Sequence, residues 1–130
     1  MRVFLLVLVC LTTLRLAAQT VGEDPVAVLQ TNLQNPKAVE LAKWFNEDVE
    51  VGIDGEKASY PRDQAEIVVN DFIRRHPGKG FTTLHQGTEN DKMKFLVGRY
   101  QANDGPIKVY VLMTKEDGRF QISMLDFSKE

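Results

Sequence analysis

Apolar residues recur along this chain at two spacings, and the change from one to the other divides it. Val26, Leu29 and Leu33 follow one another at the three-to-four-residue spacing of a helix face. Asp24-Pro25 just before them is a cap followed by a first-turn proline. Asn35-Pro36 repeats that start, and Val39, Leu41, Ala42 and Phe45 give a second helix a broad apolar stripe, with Trp44 at its rim. Over 48–54 the period drops to two, because Val49, Val51 and Ile53 alternate with polar residues, which predicts a short strand. Asp54-Gly55 is a turn signal, and 57–60 returns as a second short strand. Pro61 opens a third helix over 62–75, with Ala65, Val68, Val69, Phe72 and Ile73 along it. His76-Pro77-Gly78 ends that helix, since the residue before proline avoids helical angles and glycine releases the chain.

Beyond Gly80 the pattern predicts four strands, at 81–89, 93–103, 107–115 and 119–127. Asn90-Asp91, Asn103-Asp104-Gly105-Pro106 and Glu116-Asp117-Gly118 separate them with hairpin chemistry. Helices first and an antiparallel meander afterwards define an α+β layout rather than βαβ. With no repeat and no low-complexity linker, 19–130 reads as one domain. Strand parity then assigns faces. Phe95, Val97, Val109, Val111, Met113, Ile122 and Met124 are expected to meet Leu41, Phe45, Val68, Val69, Phe72 and Ile73 on the helices. Leu96, Tyr100, Tyr110, Leu112, Leu125 and Phe127 are expected on the opposite face, interrupted by Lys94, Lys108, Gln121 and Ser123. That is more apolar than a face meeting only water requires, and such a patch commonly marks a contact surface.

Residues 1–18 carry a different signal. Arg2, an apolar run over 3–11 and the small residues Ala17-Ala18 are the parts of a secretory signal peptide. Cleavage is expected after Ala18, with Ala17 and Gln19 as neighbouring sites. A membrane anchor would need about 20 apolar residues, and Arg15 interrupts this run too early. Cys10, the only cysteine, sits inside the run, so the mature domain has no thiol for disulfides, nucleophilic catalysis or zinc. The segment holds two basic residues and no acid, so its removal takes the net charge from −2 to −4. An exported, mildly acidic domain does not suggest a nucleic-acid partner, and no membrane span is expected after cleavage.

Several stretches carry a family resemblance: Leu41-Ala42-Lys43-Trp44-Phe45, Tyr60-Pro61-Arg62-Asp63-Gln64-Ala65-Glu66, Asp71-Phe72, His85-Gln86-Gly87, Gly98-Arg99-Tyr100, Gly105-Pro106-Ile107-Lys108-Val109-Tyr110 and Gly118-Arg119-Phe120-Gln121-Ile122. In their order and spacing the chain resembles exported Bacteroidota proteins catalogued as domain of unknown function 4783, within the nuclear transport factor two-like (SnoaL-like) cone-fold superfamily. Pro61 in place of a serine cap, Lys108 in place of arginine, and the tail Asp126-Phe127-Ser128 depart from the usual pattern. The resemblance implies three helices, with a short hairpin before the third, packed on a curved four-stranded meander. It also implies a homodimer through the outer sheet face. It assigns no activity, because the superfamily hosts isomerases, dehydratases, cyclases, transport factors and binding modules alike.

Proton-moving cone-fold enzymes place a carboxylate or histidine in an apolar pocket with a tyrosine or aspartic acid beside it. The candidates here are His85, Tyr60, Tyr100, Tyr110, Asp54 and Asp126. His85 shares strand parity with Phe81 and Thr83, and its structural role would be a half-buried imidazole bonded to Glu66 or Asp71. His76, before Pro77, reads as a helix-end residue. Two histidines without a cysteine make no zinc set, and Glu47, Asp48 and Glu50 lack the ligand spacing of a calcium loop, so no metal or cofactor is expected. Lys57, Arg62, Arg74, Arg75 and Lys79 surround the third helix as possible anion contacts, but no phosphate loop or Ser-His-Asp pattern accompanies them. Without a complete catalytic set, the favoured expectation is a non-catalytic module holding a small apolar ligand or a protein partner. The alternative is a small lyase or isomerase using His85 with a tyrosine or carboxylate.

Overall fold

The computed structural model describes residues 24–130. The signal-peptide expectation for 1–18 lies outside the described residues. The elements in chain order are α1 (Pro25–Gln34), α2 (Ala38–Ala42), β1 (Phe45–Ile53), β2 (Glu56–Pro61), α3 (Arg62–Arg75), β3 (Gly78–Asn90), β4 (Met93–Ala102), β5 (Gly105–Glu116) and β6 (Arg119–Lys129).

The first helix forms where its cap predicts, with Asp24 Oδ1 accepting from the Val26 N–H at 3.1 Å. It buries Val26, Leu29 and Leu33. The third helix matches its expected bounds and places Arg74 and Arg75 at the negative end of its dipole. The second helix is a single short turn, which corrects the sequence reading. Phe45 does not continue its stripe but opens β1, and Val39 is 58% exposed. Residues 41, 42 and 45 satisfy helical spacing, yet Phe45 pairs in register with Ile122 of β6. A partner that distant in sequence leaves no local mark.

The four C-terminal strands form the expected meander, but the sheet has six strands in the order β2-β1-β6-β5-β4-β3. The early hairpin is not a separate piece. Its strand β1 lies parallel against β6 and extends the sheet. Asp54-Gly55 and Asp117-Gly118 both hold left-handed φ, at 50° and 88° and at 51° and 78°, as tight two-residue hairpin turns require. The open edge of β3 is covered by α1: Gln34 Nε2 donates to the Phe81 carbonyl at 2.7 Å, and the Phe81 N–H donates to Gln34 Oε1 at 3.0 Å. Side-chain cover of this kind blunts a free strand edge.

The helices pack on one face of the sheet, and a bulge in β6 and a close contact over Gly98 of β4 decide which side chains meet them. In β6, Leu112 pairs with Met124 while Met113 pairs with Ile122, so Ser123 is an extra residue that reverses parity. Ile122, Leu125 and Phe127 are therefore all buried against the helices. In β4 the inward residues are Leu96, Gly98 and Tyr100, not Phe95 and Val97. Four of the six residues assigned to the outer face, Leu96, Tyr100, Leu125 and Phe127, are thus core, while Phe95, Val97 and Met124 move outward. Each face of β4 carries apolar residues, so alternation alone could not choose between them. The choice is made by packing, since the Phe81 ring lies over Gly98, where any Cβ would overlap it. Phe72 of α3 stacks on Phe127 with ring centroids 4.3 Å apart, joining helix and sheet at the centre of the core. Val109, Val111 and Met113 of β5 face inward as expected.

Candidate functional site

The side facing the helices is filled by hydrocarbon. Phe45, Leu29, Leu33, Leu41, Leu96 and Ile107 are each almost wholly buried there. Among the described residues no charged or polar side chain is fully buried. Tyr100, a candidate site residue, is part of this packing. It is 2% exposed, and its hydroxyl donates to the His76 carbonyl at 2.9 Å, satisfying an acceptor at the end of α3. Burial raises its pKa, and the charge of Asp104 adds to the shift. Tyr60 on β2 pairs in register with buried Val49 and packs at the margin of the same core.

His85 lies on the other side of the sheet. Thr83 pairs with Gly98 and His85 with Val97, so Leu84 is a bulge residue that turns His85 away from Phe81 and Thr83. The imidazole is exposed, with its ring centroid 5.2 Å from that of Phe95. Among the described residues it makes no hydrogen bond to Glu66 or Asp71, because α3 is across the sheet. Asp71 pairs instead with Arg75 at 3.0 Å. The expected half-buried imidazole is corrected accordingly: the local alternation placing it inward is broken by the bulge.

Tyr110 and Asp126 are register partners on the outer face. Burial raises the Tyr110 pKa, with the charge of Glu89 contributing. The structure therefore sorts the candidates into two sets. Tyr60 and Tyr100 face the helices, while His85, Tyr110 and Asp126 face outward, with Val97 between His85 and Tyr110 in the same register row. Asp54 is a turn residue whose Oδ1 accepts from the Lys129 N–H at 2.9 Å. His76 lies against Phe72 with the two rings tilted and their centroids 4.6 Å apart, and it donates from Nδ1 to Asp104 Oδ2 at 2.8 Å, tying the end of α3 to the β4–β5 turn. That hydrogen bond is the largest cause of Asp104's lowered pKa. Lys57 on β2, Arg62 at the start of α3 and Arg74 at its end do not converge, since 14 residues of helix span about 21 Å. Among the described residues no group of acids and histidines is placed to hold a metal ion.

Two surfaces remain that sequence reasoning placed incorrectly or missed. On the outer sheet face, Phe95 and Val97 of β4, Tyr110 and Leu112 of β5 and Met124 of β6 are neighbours in register, all partly exposed. Arg99 at the edge of this patch is held by Glu130, Nε to Oε2 at 2.6 Å. The second surface is a groove of about 500 Å³ between α2 and α3, walled by Val39, Ile67 and Ile73 with Lys37, Glu66 and Asn70 at its rim. Ile67 is 67% exposed, and its exposure was legible, because it stands off the apolar side of α3.

Three helices preceding a meander, with a hairpin completing the sheet, make this a nuclear transport factor two-like α+β fold. A solved NTF-2 like protein of unknown function from Shewanella oneidensis superposes with a TM-score of 0.60 at 18% identity, covering 80% of this chain and 95% of that one. A de novo designed protein with a curved β-sheet reaches 0.65 at 9% identity, over 79% and 94% of the two chains. The family model for Domain of unknown function (DUF4783) matches residues 26–128, and the chain belongs to that family. A DUF4783 family protein from Bacteroides ovatus has a TM-score of 0.77 at 21% identity, covering 80% of this chain and 94% of that one. Its counterpart from Bacteroides uniformis gives 0.76 at 20%, over 80% and 95%. Among curated proteins none matches the chain.

Proposed function

We propose that this protein is a non-catalytic, exported binding module whose working surface is the outer face of its sheet, and that its first partner is a second copy of itself. The observation that carries this reading is the patch of Phe95, Val97, Tyr110, Leu112 and Met124, adjacent in register and open to solvent. Aromatic and methionine side chains with a polar rim are the composition of an interface core. Export is supported by the charged start, apolar run and small residues of 1–18. The filled helix-facing side and the exposed position of His85 favour binding over the lyase or isomerase alternative, which needs an enclosed pocket around a positioned base. Leu112→Glu places a charge at the centre of the patch. It should convert a dimer into a folded monomer by size-exclusion chromatography, with the circular dichroism of the wild type retained. A variant that associates as the wild type does would overturn the reading.

A small apolar ligand has a second place, the groove between α2 and α3, supported by the exposure of Val39 and Ile67. Titration with an environment-sensitive apolar dye tests it. Binding should be weakened by Ile67→Asp, and equal binding by both proteins would remove the groove from consideration.

A further inference from the structure

Alternate turns of an antiparallel meander share an end, so the β3–β4 and β5–β6 turns lie together at one end of the sheet. On the helix-facing side at that end stand Lys94, two residues before buried Leu96, and Lys115, two residues after buried Met113. Phe120 is the register partner of Lys115 and lies two residues before buried Ile122. Period-two alternation therefore puts all three side chains on one face. Both ammonium groups lie over the Phe120 ring, with Lys94 Nζ 4.8 Å and Lys115 Nζ 5.7 Å from its centroid. The face of an aromatic ring attracts a cation, and here a single ring gathers two. Lys92 brings a third positive residue alongside, its carbonyl accepting from the Lys115 N–H at 2.8 Å.

No carboxylate neutralises the pair. The register partners of Lys94 are Thr88 and Met113, and among the described residues neither Lys94 nor Lys115 forms a salt bridge. Lys94 shares a recess of about 230 Å³ with Asp24, yet its ammonium leans to the ring, while Asp24 Oδ1 accepts from the Val26 N–H. Glu116 stands opposite Arg119 in register, one residue along from Lys115 and so on the other face. Like charges held this close destabilise a sheet surface, and an anion placed between them reverses the sign of that interaction. The domain around them is acidic, at −4 once 1–18 is removed, so the positive field belongs to this end alone.

We propose that Lys94 and Lys115 bind the phosphate group of a small ligand beside the Phe120 ring, at the open end of the helix-facing side. Each ammonium carries three donors, and contact with a ring face leaves them available to an oxyanion. A phosphate brings nearly two negative charges and several acceptor oxygens, which matches two ammonium groups. A carboxylate carries about half that charge and binds more weakly. Asp24 repels an anion from the recess behind Lys94, which confines the phosphate to the Phe120 side. The site stands on the opposite face from the proposed contact surface and does not depend on it.

NMR titration of residues 19–130 with sodium phosphate tests the site, at about pH 8 where phosphate is dianionic and at an ionic strength held constant with sodium chloride. Sodium acetate and phenyl phosphate are titrated in parallel. Resonances of Lys94, Lys115 and Phe120 should shift saturably with phosphate, and acetate should bind about tenfold more weakly. Lys94→Gln and Lys115→Gln should each weaken phosphate binding about tenfold, the loss expected of one charge-assisted contact. Lys79→Gln, at the far end of β3, should bind as the wild type does. Circular dichroism establishes that each variant is folded. Tighter binding of phenyl phosphate than of phosphate assigns the site to a phosphate ester, and equal binding assigns it to the free ion; either supports the proposal. Shifts that do not saturate, or undiminished binding by both glutamine variants, overturn it.

Discussion

Replacing Phe72 by alanine removes the side chain that joins α3 to the sheet. Phe72 is 4% exposed, its ring is stacked on Phe127 at 4.3 Å, and the His76 ring lies tilted against it at 4.6 Å. Loss of a buried phenylalanine costs about 3–5 kcal/mol, combining the transfer free energy of the ring with the cavity left behind. The cavity cannot close easily here, because its walls are a helix held at its end by Tyr100 and a strand held between β5 and β1. The upper half of that range is therefore expected, about 4 kcal/mol. A domain of this size is stable by about 5–15 kcal/mol, so much of its stability disappears, with a fall in Tm of about 15 °C. Urea unfolding followed by the fluorescence of Trp44, the single tryptophan, reports the change. The midpoint should drop while the denaturant slope stays constant. A shift of about 2 °C or less, the size of a surface substitution, would refute the packing described for α3.

Tyr100→Phe keeps the ring and deletes the hydroxyl that bonds the His76 carbonyl, so it should destabilise by about 1 kcal/mol in the same unfolding assay. The Asp104 carboxyl is held below its ordinary value chiefly by the His76 hydrogen bond. A carboxyl depressed in the folded state stabilises above its unfolded pKa of about 3.9 and loses that contribution as pH falls through the folded value. Asp104→Asn should therefore be less stable than the wild type at neutral pH and converge with it in acid, as thermal melts across that range will show.

Legibility in the sequence followed the range of the interactions. Asp24-Pro25, Pro61 and His76-Pro77-Gly78 announce helix ends within a few residues, and α1 and α3 lie where these signals put them. The Asp-Gly turns likewise fix their hairpins locally. The pairing of β1 with β6 joins residues far apart in the chain, and nothing near Phe45 or Val51 signals it. Faces were harder than elements. Leu96 and Tyr100 compete with Phe95 and Val97 for the inward side of β4 on equal hydrophobic terms, and the space over Gly98 for the Phe81 ring settles the contest. The bulges at Leu84 and Ser123 then move His85, Leu125 and Phe127 to the faces opposite those that alternation assigns. Of the three candidates with an assigned face, Tyr110 lies outward as expected, while His85 and Tyr100 lie on the face opposite.

The outer face of the sheet, with Phe95, Val97, Tyr110, Leu112 and Met124 open to solvent, is proposed above as a contact surface for a second copy. Sedimentation equilibrium of wild-type residues 19–130, extended to high micromolar concentration, separates a self-associating surface from an inert one. A self-associating sheet face gives a concentration-dependent approach to twice the monomer mass, whereas a single monomer mass across the whole range removes that face as a contact surface for a second copy.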